Sequence, residues 1–206
     1  INLLKGLEKR ALPKQFIFIS SVSVYGLDYG LNISENHKLL AKDPYGLSKI
    51  KAENIIINWY KKNKIICTIL RLPLIVGPNP PGNLGAMIKA IKRGYYVNIA
   101  GGKTKKSMVF NNDVAKIILK AAKVGGIYNL TDGYHPSFIE ISNLISDQLK
   151  KSYILNIPIW LAKIISYFGD FIGDRSPINT NKLNKMMSDL TFDDTRARSA
   201  FKWSPN

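Results

Sequence analysis

The sequence predicts an α/β fold in which a mostly parallel sheet presents ligand-binding groups at the carboxyl ends of its strands. Three observations predict it. Short runs rich in β-branched and aromatic residues, at 15–19, 65–70 and 127–130, read as buried strands. Segments with helical apolar spacing stand between and after them. The first run ends in Ser20-Ser21-Val22-Ser23-Val24-Tyr25-Gly26. Hydroxyls at the carboxyl end of a parallel strand lie where open α/β sheets bind ligands.

Taken in order, residues 1–11 read as a helix, because Leu3, Leu4, Leu7 and Ala11 repeat at helical spacing. The strand at 14–19 follows, and 26–42 is a polar loop with little periodicity. Asp43 is placed to cap a helix, since its carboxylate can accept from the free N–H groups of the first turn. Pro44 suits the first helical position, where its missing N–H costs nothing. The helix runs past Trp59 to Lys61 and Lys62, whose charges oppose the dipole at its end. After the strand at 65–70, the Pro-rich stretch 72–81 is expected to form no regular element. Asn83 is expected to cap a helix over 84–93. A short strand at 97–100, a Gly-Gly turn, a helix over 113–124 and a strand at 127–130 come next. Ser137 is placed to cap a helix ending at Leu149. Residues 157–173 form an apolar helix with Lys163 as its only cation. Its polar face is thin for a helix lying on a membrane, so packing in the interior is expected. Helices near 178–187 and from 193 onward close the chain, and no internal repeat is visible.

Composition narrows the function classes. The chain has 206 residues, 46% of them hydrophobic, enough for a core and one or two domains. The lone Cys67 excludes an internal disulfide and lies in an apolar run, which suits a core residue better than a nucleophile. Two histidines in separate loops and no paired cysteines argue against a zinc site. No signal peptide and no bilayer-length apolar run is visible, so a cytoplasmic protein without stable membrane insertion is expected. The net charge of +16 can serve nucleic acid or an anionic membrane. The lysines are scattered over helix faces, however, which fits a solvated surface, and no nucleic-acid partner is expected.

Tyr45 and Lys49 are four residues apart and share one helix face. A lysine beside a phenol favours the phenolate, which makes Tyr45 a candidate acid/base; a solvated pair with no chemistry has the same spacing. Together, Phe-Ile-Ser-Ser-x-x-Val-Tyr-Gly at 18–26, Pro-Tyr-Gly-x-Ser-Lys-x-x-x-Glu at 44–53 and Leu-Arg-Leu-Pro-Leu-Ile-Val-Gly-Pro at 70–78 resemble the extended short-chain dehydrogenase/reductase family, in its nucleotide-sugar epimerase/dehydratase branch. The resemblance covers nearly the whole chain. It implies a Rossmann-type domain over 1–78 and 109–131, and a small α/β sugar-nucleotide lobe over 79–108 and 132–206. Such a domain should open with a strand and a Gly-x-x-Gly-x-x-Gly turn over the pyrophosphate. The sequence has no such motif. The expectation is therefore the C-terminal portion of a Rossmann-type sheet plus the substrate lobe, with the N-terminal Gly-rich half absent and the piece inactive alone.

The resemblance also implies roles. Ser21, Tyr45 and Lys49 become the catalytic set: Tyr45 exchanges the proton of the sugar C4 hydroxyl, Ser21 donates to the same oxygen, and Lys49 binds the nicotinamide ribose. The implied cofactor is NAD, with NADP as the alternative, contacted by Tyr45, Lys49 and Pro73. Ser23, Asn83, Lys106 and Asp189 match substrate-side positions. Lys106 stands where many relatives have an Arg and lacks its fork. Leu74 and Met186 replace an Asn and an Arg of some relatives, with Lys185 a candidate substitute, which leaves the sugar open. The readings are a 4-epimerase acting on a UDP-hexose or UDP-N-acetylhexosamine, a reductase of a nucleotide 4-keto-6-deoxy sugar in surface-polysaccharide synthesis, or a non-enzymatic basic module. A dehydratase is disfavoured, because Val22-Ser23 follow Ser21 where that branch has Asp-Glu. A homodimer is compatible with all three.

Overall fold

A computed structural model describes residues 2–80, 82–151, 153–173, 176, 178–205. Ile1 and Pro81, which fall in the expected first helix and the Pro-rich stretch, lie outside them. The amino-terminal helix α1 is Asn2–Lys9 and the first strand β1 is Gln15–Ser21. The long helix α2, Pro44–Asn63, leads to β3, Ile66–Leu72. The helix α4, Asn111–Ala121, leads to β7, Gly126–Asn129. These strands form one parallel sheet in the order β1-β3-β7. The expected parallel sheet is therefore present, with Ser21 opposite Leu72 at its carboxyl edge.

Each face of the sheet is covered. On one face Leu4 of α1 and Ile56 and Trp59 of α2 pack against Cys67 and Ile69. Phe16 meets the Trp59 ring edge-on at 5.3 Å. On the other face Val114, Ile117 and Ala121 of α4 pack against Leu70, Leu72 and Tyr128. The final helix α8, Thr195–Phe201, joins that second core through Ala197 and Phe201. Trp203 is locked there as well, its Nε1 donating to the Thr131 carbonyl at 2.6 Å. Burial pushes the Cys67 thiol up to about 11, in keeping with a core residue.

Parallel layering with both faces filled is thus built from residues of this chain. The fold-class expectation is corrected to that extent: the described residues build an α/β Rossmann-type layering of their own. The missing Gly-rich motif concerns how one turn would hold a phosphate, and it says nothing about how many strands the fold has.

The remaining strands are short. Four residues at Gly30–Ile33, β2, pair in parallel with Leu190–Phe192, β9. The strand β4, Leu74–Val76, pairs with Met108–Phe110, β6. Val97–Ile99, β5, pairs with Leu155–Ile157, β8. Two expectations need correcting here. The stretch 72–81 does contain a strand, since Pro73 ends β3 without preventing Leu74–Val76 from pairing. Gly82–Arg93 forms α3, so Asn83 lies inside the first turn and does not cap it.

The helix α5, Phe138–Gln148, starts from a complete capping box. Ser137 accepts from the Glu140 N–H, and Glu140 accepts from the Ser137 N–H at 2.7 Å and the Ser137 hydroxyl at 2.5 Å. The Tyr134 hydroxyl also donates to Glu140. The Ser137 hydroxyl first, then Tyr134 and the N–H, hold the Glu140 carboxyl at about 2, against an ordinary 4.5. A depressed carboxylate stabilises the fold above its unfolded pKa and loses that contribution as pH falls through the folded one. The contribution should be full above pH 4.5 and fade towards about 2. Glu140→Gln should flatten the acid limb of a plot of Tm against pH. An equally steep limb in that variant would remove Glu140 from the acid sensitivity.

Candidate active site

The site begins with the helix α2 and how it is held. Asp43 caps it, accepting from Gly46 N–H at 2.9 Å, and Pro44 occupies its first turn, as the sequence predicts. Gly46 is buried against the segment that follows β1. A Cβ there would stand 2.5 Å from Ala41 Cβ and 2.8 Å from both Asp43 Oδ2 and the Ser23 carbonyl oxygen. Only a glycine lets the helix start approach Ser23 so closely. Gly26 lets the Leu40–Ala41 backbone, ahead of the helix, come equally close: its φ is +64°, and a Cβ would meet Ala41 N at 2.4 Å.

Val22–Tyr25 form a single 3-10 turn after β1. Ser21 caps that turn, accepting from Ser23 N–H at 3.2 Å and donating to Ser23 Oγ at 3.1 Å. Tyr45 is 54% exposed, and its hydroxyl makes no hydrogen bond among the described residues. One turn along, Lys49 Nζ donates to the Ile19 carbonyl at 3.1 Å, two residues before Ser21 in β1. The same ammonium lies 5.2 Å from the Phe18 ring centroid and 5.7 Å from that of Tyr45. The structure therefore brings Ser21, Ser23, Tyr45 and Lys49 to the carboxyl end of β1. Lys49 keeps two N–H groups beyond the one bound to Ile19. Pro73 lies between β3 and β4, one residue past the strand end that pairs with Ser21.

Beneath this group is a buried polar network to which the sequence reading assigned no role. Glu53, 0% exposed, takes a two-pronged bond from Arg71: Nε to Oε1 at 3.1 Å and Nη2 to Oε2 at 2.6 Å. Ser20 Oγ donates to Glu53 Oε1 at 2.5 Å. Arg71 Nη1 reaches the Tyr25 hydroxyl at 3.1 Å, and that hydroxyl donates to Asn129 Oδ1 at 2.7 Å. Asn129 in turn donates to the Ile33 carbonyl and, through its N–H, to Glu35. Burial pushes the Tyr25 hydroxyl above its ordinary value against the pull of Arg71, so it stays a donor. Burial works against the Arg71 charge, but Glu53 and Tyr25 raise its pKa all the same. A signal existed: Arg71 is a charge inside the apolar run 69–72, and such a residue needs a buried partner. Glu53 continues the Tyr45–Lys49 face at one further helical step.

The substrate-side candidates form a second group. Lys106 Nζ donates to the carbonyls of Lys185 at 3.2 Å and Ser188 at 2.7 Å, at the end of α7, Thr180–Met187. It thereby closes that helix C-terminus with a cation. Burial lowers the Lys106 pKa, with Asp189 and Asp28 acting to raise it. Asp189 accepts from the Lys105 N–H at 2.8 Å, so Lys106 and Asp189 are neighbours. Asn83 is exposed at the start of α3. Among the described residues, no hydrogen bond joins this group to Ser21, Tyr45 or Lys49. Two clefts of about 270 Å³ and 290 Å³ lie elsewhere, with Lys151, Tyr153 and Ile154 in both walls. Among the described residues no cluster of His, Cys, Asp or Glu is placed to hold a metal.

A model of the NAD dependent epimerase/dehydratase family matches residues 1–131. The chain belongs to that family. The match takes in the amino-terminal residues of this chain, which corrects the expectation that only the C-terminal portion of the fold is represented. Curated relatives include N-acetyl-alpha-D-glucosaminyl-diphospho-ditrans,octacis-undecaprenol 4-epimerase of Escherichia coli O157:H7, 29% identical over 97% of this chain and 63% of the relative. UDP-glucose 4-epimerase of Vibrio cholerae is 26% identical over 97% of this chain and 62% of the relative. The chain thus spans somewhat under two thirds of these relatives. Among solved structures, RMD from Pseudomonas aeruginosa complexed with NADPH superposes with a TM-score of 0.73 at 20% identity, covering 100% of this chain and 65% of that one. This likeness concerns the fold. Among the described residues no helix is long and apolar enough to cross a membrane.

The close approach at Gly46 yields a test. Gly46→Ala should destabilise the chain by about 1–3 kcal/mol, the usual cost of overpacking against backbone. Urea unfolding measures it, and an unchanged midpoint would show that α2 does not sit as tightly on Ser23 as described.

Proposed function

We propose that this chain is a sugar 4-epimerase acting on a diphosphate-linked hexose or N-acetylhexosamine. The observation that supports the reading is the bond from Lys49 Nζ to the Ile19 carbonyl at 3.1 Å, two residues before Ser21, with the Tyr45 ring centroid 5.7 Å from the same ammonium. Both curated relatives named above are 4-epimerases of diphosphate-linked sugars, which supports epimerisation ahead of ketosugar reduction.

The family implies NAD or NADP. The residues present fit its reactive end: a half-exposed phenol whose hydroxyl has no hydrogen-bond partner among the described residues, and an ammonium with spare donors, lie near a strand's carboxyl edge. The family's Gly-rich pyrophosphate turn has no counterpart in the sequence. When bound, the cofactor would supply hydride acceptance from the sugar C4 and its return. The chain supplies the rest. Tyr45 receives the proton of the C4 hydroxyl and returns it. Ser21 donates to that oxygen as it becomes a carbonyl, and Ser23 steadies Ser21. Lys49 offers its remaining N–H groups to the nicotinamide ribose. Pro73 contacts the nicotinamide through its backbone. Asn83, Lys106 and Asp189 serve the diphosphate and nucleoside side, with Lys106 acting as a point charge. In this reading 1–78 and 109–131 hold the cofactor, and 79–108 and 132–206 hold the sugar nucleotide.

Tyr45→Phe should lower kcat for 4-epimerisation by about 10²–10⁴, the usual worth of a positioned acid/base. Substrate binding, followed by calorimetry, should hold, because the ring keeps its shape. Turnover near that of the parent would remove Tyr45 from the chemistry.

A further inference from the structure

The helix α6, Ile159–Ile172, is turned inside out relative to an ordinary surface helix. Its buried residues are the small ones, Ala162, Ser166 and Gly169. Its large apolar residues face outward: Trp160, Ile164, Tyr167, Phe168 and Phe171 are 48–79% exposed. They recur at helical spacing and make one stripe along the helix. The interior expected for this helix therefore receives its small-residue face, with Ile159 at its start also packed inward. The inner face is tightly seated, since a Cβ on Gly169 would stand 1.9 Å from the Ile178 carbonyl oxygen. The outward stripe is therefore fixed by packing, and it is not a sign of a loosely placed helix.

The helix carries one lysine and one acid. Lys163 is exposed one turn from both Trp160 and Tyr167. The only acid of the helix, Asp170, is drawn away by the first turn of α7, accepting from Thr180 N–H at 2.9 Å and Thr180 Oγ1 at 2.5 Å. The whole chain carries +16. Copies with that charge repel one another, whereas an anionic lipid surface attracts them. Tryptophan and tyrosine beside a lysine are the side chains that settle at the headgroup level.

We propose that the outer face of α6 docks the protein on an anionic lipid bilayer, with Trp160, Tyr167, Phe168 and Phe171 entering the interface and Lys163 meeting headgroup phosphates. The helix lies on the surface and does not cross it, because it spans 14 residues with one face held by the protein. This docking does not depend on the epimerase reading. If both hold, the sugar substrate is met at a membrane surface.

The test is co-sedimentation of the chain with vesicles of phosphatidylcholine and phosphatidylglycerol in equal parts, against phosphatidylcholine alone. Neither cofactor nor sugar is added, so the outcome is separate from that of any activity assay. Binding to the anionic vesicles is expected, and Phe168→Ser with Phe171→Ser should weaken it about tenfold or more, given the apolar area lost. Light scattering on the free protein should show the variant in the same oligomeric state as its parent. No binding to the anionic vesicles would overturn the proposal. So would vesicle binding that the double substitution leaves unchanged, which would assign it to the lysines alone. A dimer in the parent that the substitutions dissolve would give the face to a second copy, and the proposal would fall.

Discussion

The Arg71–Glu53 pair is the contact on which the site's geometry depends. Both groups are buried and mutually satisfied in a two-pronged bond. Glu53 is fixed to α2, Arg71 to β3, Ser20 to β1, and Asn129 to β7 at the end of the Arg71–Tyr25 chain of bonds. One cluster of side chains thus fixes three adjacent strand ends and the long helix to one another. Burying a charge is expensive unless it is paired and hydrogen-bonded. No small shift of α2 keeps all these bonds, so the helix has one seat. Tyr45 and Lys49 share the face that Glu53 anchors, and Ser21 follows Ser20. The position of the proposed chemistry is set by a network that does no chemistry itself.

Close packing completes what the charges begin. Gly26 lets its backbone approach that of Leu40 and Ala41, and Gly46 lets the start of α2 approach Ser23. Tyr25 links the two devices, stacking on Phe192 at 5.6 Å while its hydroxyl serves Arg71 and Asn129. Through Phe192 and the β2–β9 pairing, the last part of the chain is brought back to the strand end that carries Ser21. The final helix and Trp203 return to the sheet as well, so residues near 190–203 support the site although they are far from it in sequence.

Features with local causes were legible in the sequence. Asp43-Pro44 marks a helix start whatever surrounds it, and the long apolar strands need no partner to be recognised. The short strands were not legible, because three or four residues show no period and their partners are remote: Leu74–Val76 depends on Met108–Phe110, and Gly30–Ile33 on Leu190–Phe192. The outward turn of α6 was hidden for a different reason. Helical spacing reveals two faces but not which one the protein covers, and the choice was made by the backbone contact at Gly169. Of the candidate site, Ser21, Tyr45 and Lys49 stand out in sequence as a motif, while the contacts of Lys106 at the end of α7 and of Arg71 at the centre depend on partners remote in sequence. A missing Gly-rich turn misled about the fold, because a motif for binding is not a measure of strand content.

The most direct test is a double-substitution cycle on unfolding free energy, with Arg71→Leu, Glu53→Gln and the two combined. Arg71→Leu leaves a buried carboxylate without its partner and should cost about 3–5 kcal/mol. Glu53→Gln leaves the guanidinium with a neutral partner and should also destabilise. If the pair is the anchor described, the combined variant should lose far less than the sum of the two, since neither charge is then stranded. Costs that simply add would show that Arg71 and Glu53 act independently, and would contradict the account.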